Sequence, residues 1–548
     1  MTLNTKVDNL LIEFLTEELP PQSLEDISSS FATNCALELQ SFNQNQSTTL
    51  EYEVYATPRR FGVLIKNIRY IEDDTTQLRK GPSIEASFID KFKPTKALIG
   101  FMKSATLDIS TDEAINTNLK QIIQNNDGYC YVEIHKQGRL LDDVLASVIN
   151  SSIKKMPIKK FMRWGANEFE FIRPVHNLLI MFGNSALSLK NLVFGLDSVD
   201  YTYGHRNYTA QKIFIKHANS YKEQLLNEGF VFANFKERLH YIQTALNNQA
   251  KICGLKLYTE SEPKKDTINQ TNIVTPNAYD NLYPQENYIK LLHFVTSVVE
   301  YPVIFLANFS IDFLNVPHEC LISSMNNHQK YFPLFAIDNQ LNNAFLFVAN
   351  INPIDPNDVI HDNEKVLHAR LSDARFFYDM DQQKPLLYYL DNLHKVIYHN
   401  QIGTQYQRVL RLIEISKIIA NMLEITDQTY LKQLIQSAKL AKADLSSQMV
   451  FEFPELQGIA GSKYARQQGM NINITKAIQR HYYPKYSNDE LPEDNNNYNN
   501  NISNIVALAD KIETIVAMWN INLIPNGDKD PFALRRSAIG ILRLIIEN

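Results

Sequence analysis

The amino-acid sequence predicts a multidomain α+β protein, with a mixed α/β N-terminal region followed by an all-α module. Three observations predict it. The chain has 548 residues, more than one core organises, and domains of ~100–200 residues give about three or four modules. Strand-like apolar runs lie before Pro385. Beyond it, apolar residues recur near the helical period.

Taken in order, LLIEFLTEELPPQ opens on an apolar strand-like run and stops at Pro20–Pro21. In EYEVYATPRRFGVLIKNI, Tyr52, Val54 and Ala56 alternate with Glu51, Glu53 and Tyr55. This reads as two strands around a turn at Pro58, with Arg59 and Arg60 at a strand end or loop. YCYVEIH, HNLLIMFG, YPVIFLANF and AFLFVANI are further strands, and Tyr221 to Cys253 is helical. After Pro385, three sets recur at helical spacing: Val409 to Leu423, Leu431 to Leu445, and Ile502 to Val516. The Asn-rich stretch from Asn488 to Asn501 lacks the aliphatic residues that would bury surface, and is expected to be a mobile loop. A last helix is expected from Pro531, with Asp530 as its N-cap. The divisions expected are 1–335, a connecting segment 336–384, and a helical domain 385–548.

Composition narrows the function classes. Hydrophobic residues make up 44% and charged residues 21%, with a formal net charge of −6. A whole-molecule basic field is absent, so nucleic acid would be met by local patches. The four cysteines, Cys35, Cys130, Cys253 and Cys320, form no C-x-x-C pair. A zinc knuckle or disulfide framework is therefore not indicated, and a reducing cytoplasm is expected. No apolar run approaches the ~20 residues of a membrane span, and no signal peptide is evident at the N-terminus.

No phosphate loop and no G-x-G-x-x-G fingerprint occur among the 17 glycines. Neither the HIGH and KMSKS pair nor a set of class II synthetase motifs is evident, and no catalytic residues are assigned. The strongest nucleic-acid signal is KKMPIKKFMRWG. Lys154, Lys155, Lys159, Lys160 and Arg163 supply five positive charges without an acid, interleaved with Met156, Ile158, Phe161, Met162 and Trp164. Cations neutralise phosphates while rings stack on bases. A solvated basic face over an apolar stripe is the competing explanation. Arg59–Arg60, Arg79–Lys80 and His205–Arg206 are smaller cationic pairs next to expected turns, each of which alone is more often an ordinary surface pair.

A second constellation lies in the helical part. His399, Asp444 and Asp510 follow the order of ligands in HD-type metal phosphohydrolases, whose His, His-Asp and Asp hold a divalent cation. The dyad position here is Ala443–Asp444. Loss of one ligand normally destroys such a site, so a degenerate site without metal is expected. Near the end, Arg535 and Arg536 could meet RNA, a partner chain, or nearby acids such as Asp528.

Taken together, FLTEELPPQSL, YATPRRFGVLI, KGPSIEASF, PTKALIGF, MRWG, FIRPVHNLL and GHRNYT resemble the N-terminal half of glycyl-tRNA synthetase β chains. VTSVVEYPVIFLANF, VPHECLISSMNNHQKYFPLF, NEKVLHARLSDARFFYDMD, AKADLSSQMVFEFPELQG, ALADKIETI and GDKDPFALRR are similar to the second half. The strings run in order from about Leu10 onward. The resemblance implies an α2β2 ligase. Its separate α chain holds glycine, ATP and Mg²⁺, while the β chain binds tRNA(Gly) and needs no cofactor of its own. It also implies an N-terminal module related to the editing-type module of phenylalanyl-tRNA synthetase β chains, and an HD-like helical domain. The family continues into a helical anticodon-binding domain where this chain stops, which puts anticodon recognition by it in doubt. Two other classes remain open: an HD metal phosphohydrolase, and a scaffold that only holds α subunits.

Overall fold

The computed structural model of the chain describes residues 7–43, 49–90, 93–105, 107, 109–120, 122–124, 127–166, 168–259, 283–492, 501–527 and 529–547. Asp528 and most of the Asn-rich stretch lie outside them. The chain divides into two compact units. One comprises residues 1–243, 292–303 and 349–351, and the other 244–291, 304–348 and 352–548.

The first unit carries β1 (Val7–Thr16), α1 (Leu24–Phe42), β2 (Tyr52–Thr57), β3 (Arg60–Arg69), β4 (Thr75–Ser83), α2 (Lys96–Ser104), β5 (Tyr129–Lys136), α3 (Leu141–Lys154), β6 (Met162–Arg163), β7 (Glu170–Phe171) and β8 (Val175–Phe182), with shorter pieces between. β1 is central, antiparallel to β8 on one side and to β3 on the other, and β2 follows β3. Both faces of this sheet are covered. Leu10, Ile12 and Phe14 enter a core with Phe31 of α1 and Leu145 of α3. Leu11 joins Tyr55, Leu64, Tyr221 and Leu225 on the other face. Two covered faces explain why β1 is almost continuously apolar where a half-buried strand would alternate. Thr57 pairs with Arg60 across the turn Pro58–Arg59, as the sequence suggests. A smaller antiparallel pair, β4 with β5, is backed by Leu98 and Met102 of α2.

In the second unit a hairpin pairs Phe332 with Leu346, Pro333 with Phe345 and Phe335 with Leu341. The helices α4 (Gln405–Met422), α5 (Gln428–Leu440), α6 (Ile459–Gln467), α7 (Ile472–Arg480), α8 (Ile502–Asn520) and α9 (Leu534–Ile546) follow. Leu412, Leu434, Ala438, Ala477, Val506 and Ala509 form a shared core. A capping box at Thr404 and Gln407 starts α4.

Three helix expectations shift. Tyr221 to Cys253 is two helices, Tyr221–Gly229 and Phe235–Ile252, interrupted where Phe230 is left-handed (φ 55°). The second periodic set ends at Leu440. Residues Ala443–Ser446 form a tighter turn in which Asp444 bonds elsewhere. The last helix begins at Leu534, three residues past Pro531, yet Asp530 still accepts the free N–H groups of Leu534 and Arg535. Among the described residues no helix is long and apolar enough to cross a membrane.

Candidate nucleic-acid interface

The cationic residues singled out in the sequence fall into three groups in the first unit. The segment Lys154 to Arg163 leaves the end of α3 and enters the two-stranded hairpin β6–β7, where Met162 pairs with Phe171 and Arg163 with Glu170. Met156 turns inward and Ile158 packs against the core, which fixes the backbone. All five cations are exposed. Two are compensated: Lys155 by Glu38 at 2.6 Å and Arg163 by Glu170 at 2.7 Å. Lys154, Lys159 and Lys160 have no carboxylate within ion-pair distance among the described residues. An unneutralised lysine trio costs little in water and suits a polyanion.

The second group lies at one end of the main sheet, where TEELPP, TPRR, FIRP and GHRN converge. Arg206 is exposed and pairs with Glu18 at 2.9 Å. His176 meets Glu17 at 2.8 Å, and Arg173 donates to the Glu18 carbonyl at 2.9 Å. Thr16 N–H donates to the Arg59 carbonyl at 2.7 Å, joining the loops. Glu17, Glu18, Pro58, Arg173 and Arg206 line an open groove of 610 Å³. Arg173 and His176 had no local signal in the sequence, because their partners are more than 150 residues away.

Two residues of this group require correction as phosphate contacts. Arg60 is fully buried, donates to the Tyr203 carbonyl at 3.0 Å and lies 3.7 Å from Glu300. Its place in β3 turns it to the face shared with Glu13, where Thr202 and Tyr221 hydroxyls also donate to the Glu13 carboxylate. Burial opposes the guanidinium charge, but Glu300 and Glu13 outweigh it and raise the pKa. His205 is buried as well, and burial pushes its imidazole below the ordinary range. Neither can reach a phosphate. Arg59 is half-buried.

The third group is Arg79 and Lys80 on β4. Arg79 donates to the Ser104 carbonyl at 2.6 Å. The Lys80 ammonium lies 3.5 Å from the Tyr129 ring centroid and 3.4 Å from Asp127. Both are exposed and both are occupied locally.

Comparison with known proteins decides the family. A model described as glycyl-tRNA synthetase beta subunit matches residues 10–275 and 256–548. The chain belongs to the glycyl-tRNA synthetase β-subunit family. A Neisseria meningitidis serogroup A protein called glycine–tRNA ligase beta subunit is 42% identical over 538 residues, 98% of this chain and 71% of its own length. Proteins of the same name from Nitrosomonas europaea and a Janthinobacterium species are 38% and 37% identical, covering 99% and 98% of this chain and 70% and 72% of their own.

In this β-subunit chain the residues of the HD pattern do not fit a divalent cation. Asp444 is fully buried, and its Oδ2 accepts from Gly458 N–H at 2.6 Å and Gly461 N–H at 2.9 Å. Burial pushes its carboxyl up to about 6. Ala443 is buried and offers only a methyl group. Asp510 is held by Arg408 at 2.9 Å and Lys442 at 3.1 Å. Burial alone would neutralise Asp510, but Lys442 and Arg408 hold it well below the usual carboxylate range. Burial in turn pushes the Lys442 ammonium down to about 7. His399 packs against Phe532, and its Nδ1 accepts from Gln401 N–H. Among the described residues no three His, Cys, Asp or Glu side chains are grouped to hold a metal ion. The cationic charge facing Asp510 comes from side chains of the protein itself.

Proposed function

We propose that this chain is the tRNA-handling β subunit of glycine–tRNA ligase. It binds tRNA(Gly) and supports ATP-dependent glycylation catalysed in a separate α subunit, within an α2β2 assembly in the cytoplasm. ATP and Mg²⁺ belong to the α subunit. Family membership over nearly the whole chain carries the reading. The lack of nucleotide-binding signatures supports the division of labour. The finer architecture goes with it: an editing-type module within 1–335, a connection over 336–384, and an HD-like domain over 385–548 that has become structural.

The RNA contact is assigned to Lys154, Lys159 and Lys160, with Arg59, Arg79, Lys80 and Arg206 as weaker contributors. Removing one phosphate-bound cation lowers the log–log salt slope by about 0.7–0.9. Lys159→Ala with Lys160→Ala is therefore expected to weaken tRNA binding and flatten the slope while leaving thermal stability unchanged. Unchanged affinity and slope in a normally folded double variant would remove this segment from the binding surface.

A further inference from the structure

Large apolar side chains, two of them aromatic, stand exposed beside the lysine trio. Phe161 is 56% exposed, Met162 38% and Phe169 37%. They rim a hairpin whose root is fixed. Phe171 is fully buried, with its ring centroid 5.6 Å from Phe61 and 5.2 Å from Phe194. Trp164 also meets Phe194, at 5.7 Å. Phe169 reaches the same ring edge-on at 6.3 Å and lies over Gly195, whose φ is +73° and where an added Cβ would come within 3.1 Å of the ring. The aromatic chain thus runs from the core outward to Phe169, which faces water, while Phe161 stands exposed on the segment entering the hairpin.

We propose that β6–β7 and the segment entering it take an unpaired RNA strand, with bases stacking on Phe161 and Phe169 and phosphates held by Lys159 and Lys160. The inference rests on the tRNA-binding reading and specifies which part of the RNA this surface accepts. Charge selects a polyanion, because the segment from Lys154 to Arg163 contains no acid, and among the described residues only two of its five cations are compensated. Ring exposure then selects unpaired strand over duplex. An A-form duplex presents phosphates and 2′-hydroxyls and keeps its bases stacked inside, so exposed rings would gain no partner from it. Unpaired bases offer π-faces of any sequence.

The test uses the full chain and fluorescence anisotropy, with a single-stranded RNA and a blunt RNA duplex, each about twelve nucleotides long. The wild-type chain is expected to bind the single strand more tightly. Phe161→Ala should lose about ten-fold on the single strand with its salt slope unchanged, and Phe161→Tyr, which keeps the ring, should retain binding. Wild-type affinity in Phe161→Ala, or a preference of the wild-type chain for duplex, would overturn the proposal. If Lys159→Ala/Lys160→Ala weakens tRNA binding while Phe161→Ala changes nothing, stacking is excluded and the tRNA reading stands. If the wild-type chain binds no RNA, both fall.

Discussion

Arg59 and Arg60 are adjacent in the sequence but occupy different environments. Arg59 sits in the turn, whereas Arg60 is sealed beneath the second layer of the sheet with Glu300 and Glu13. Removing one partner of a buried ion pair leaves an uncompensated charge, at a cost of about 3–5 kcal/mol. Arg60→Met is therefore expected to lower stability by about that much, and Arg59→Ala by less than ~1 kcal/mol, measured by urea unfolding. Asp510 follows the same logic. Asp510→Asn removes the carboxylate partner of the buried Lys442, while Arg408 keeps Glu513 at 2.9 Å, and should cost about 3–5 kcal/mol near neutral pH. The folded carboxyl titrates below its unfolded value of about 3.9, so its contribution is complete above that value and is lost as pH falls through the folded pKa. The gap in urea midpoint between wild type and Asp510→Asn should narrow from pH ~6 towards pH ~2. A constant gap would show that the Asp510 ionisation is not what stabilises the cluster. At this scale the sequence was only partly legible. RR and HR look alike as surface pairs, and only the fold shows that Arg60, on a strand facing a covered side of the sheet, and His205, in the loop after Tyr203, are buried.

At the scale of elements, alternation and helical spacing carried most strands and the helices α4, α5 and α8, because both signals are local. The departures arise from interactions distant in sequence. The second periodic helix stops early because Asp444 turns to accept N–H groups of Gly458 and Gly461. Gly461 is needed there, since an added Cβ would meet Asp444 Oδ2 at 3.0 Å and Ile478 at 3.0 Å. Gly461→Ala is expected to cost about 1–3 kcal/mol through this crowding, again by urea unfolding, and a neutral result would mean the turn relaxes freely. The basic run was visible in the sequence as charge without acid. What remained hidden was the hairpin, built on two-residue strands too short for a period, and the compensation of Lys155 and Arg163 by Glu38 and Glu170.

For the whole molecule, family membership was legible from the ordered series of strings, no one of which would suffice, and the family match covers the same span. The sequence shows the order His399, Asp444, Asp510 with Ala443 where the HD-type pattern has a ligand. Lys442 and Arg408, the cations that hold Asp510, could not be assigned without the packing of α4, α8 and the turn at Ala443–Ser446. The two chains divide the labour: this one handles tRNA and another forms the aminoacyl bond. The most direct measurement is glycine-dependent pyrophosphate exchange and tRNA(Gly) charging by this chain alone, by the cognate α chain alone, and by the two together. The expected result is no exchange by this chain alone and full charging only by the mixture. Exchange by this chain alone, or charging by the α chain that is unaffected by its addition, would rule out that division.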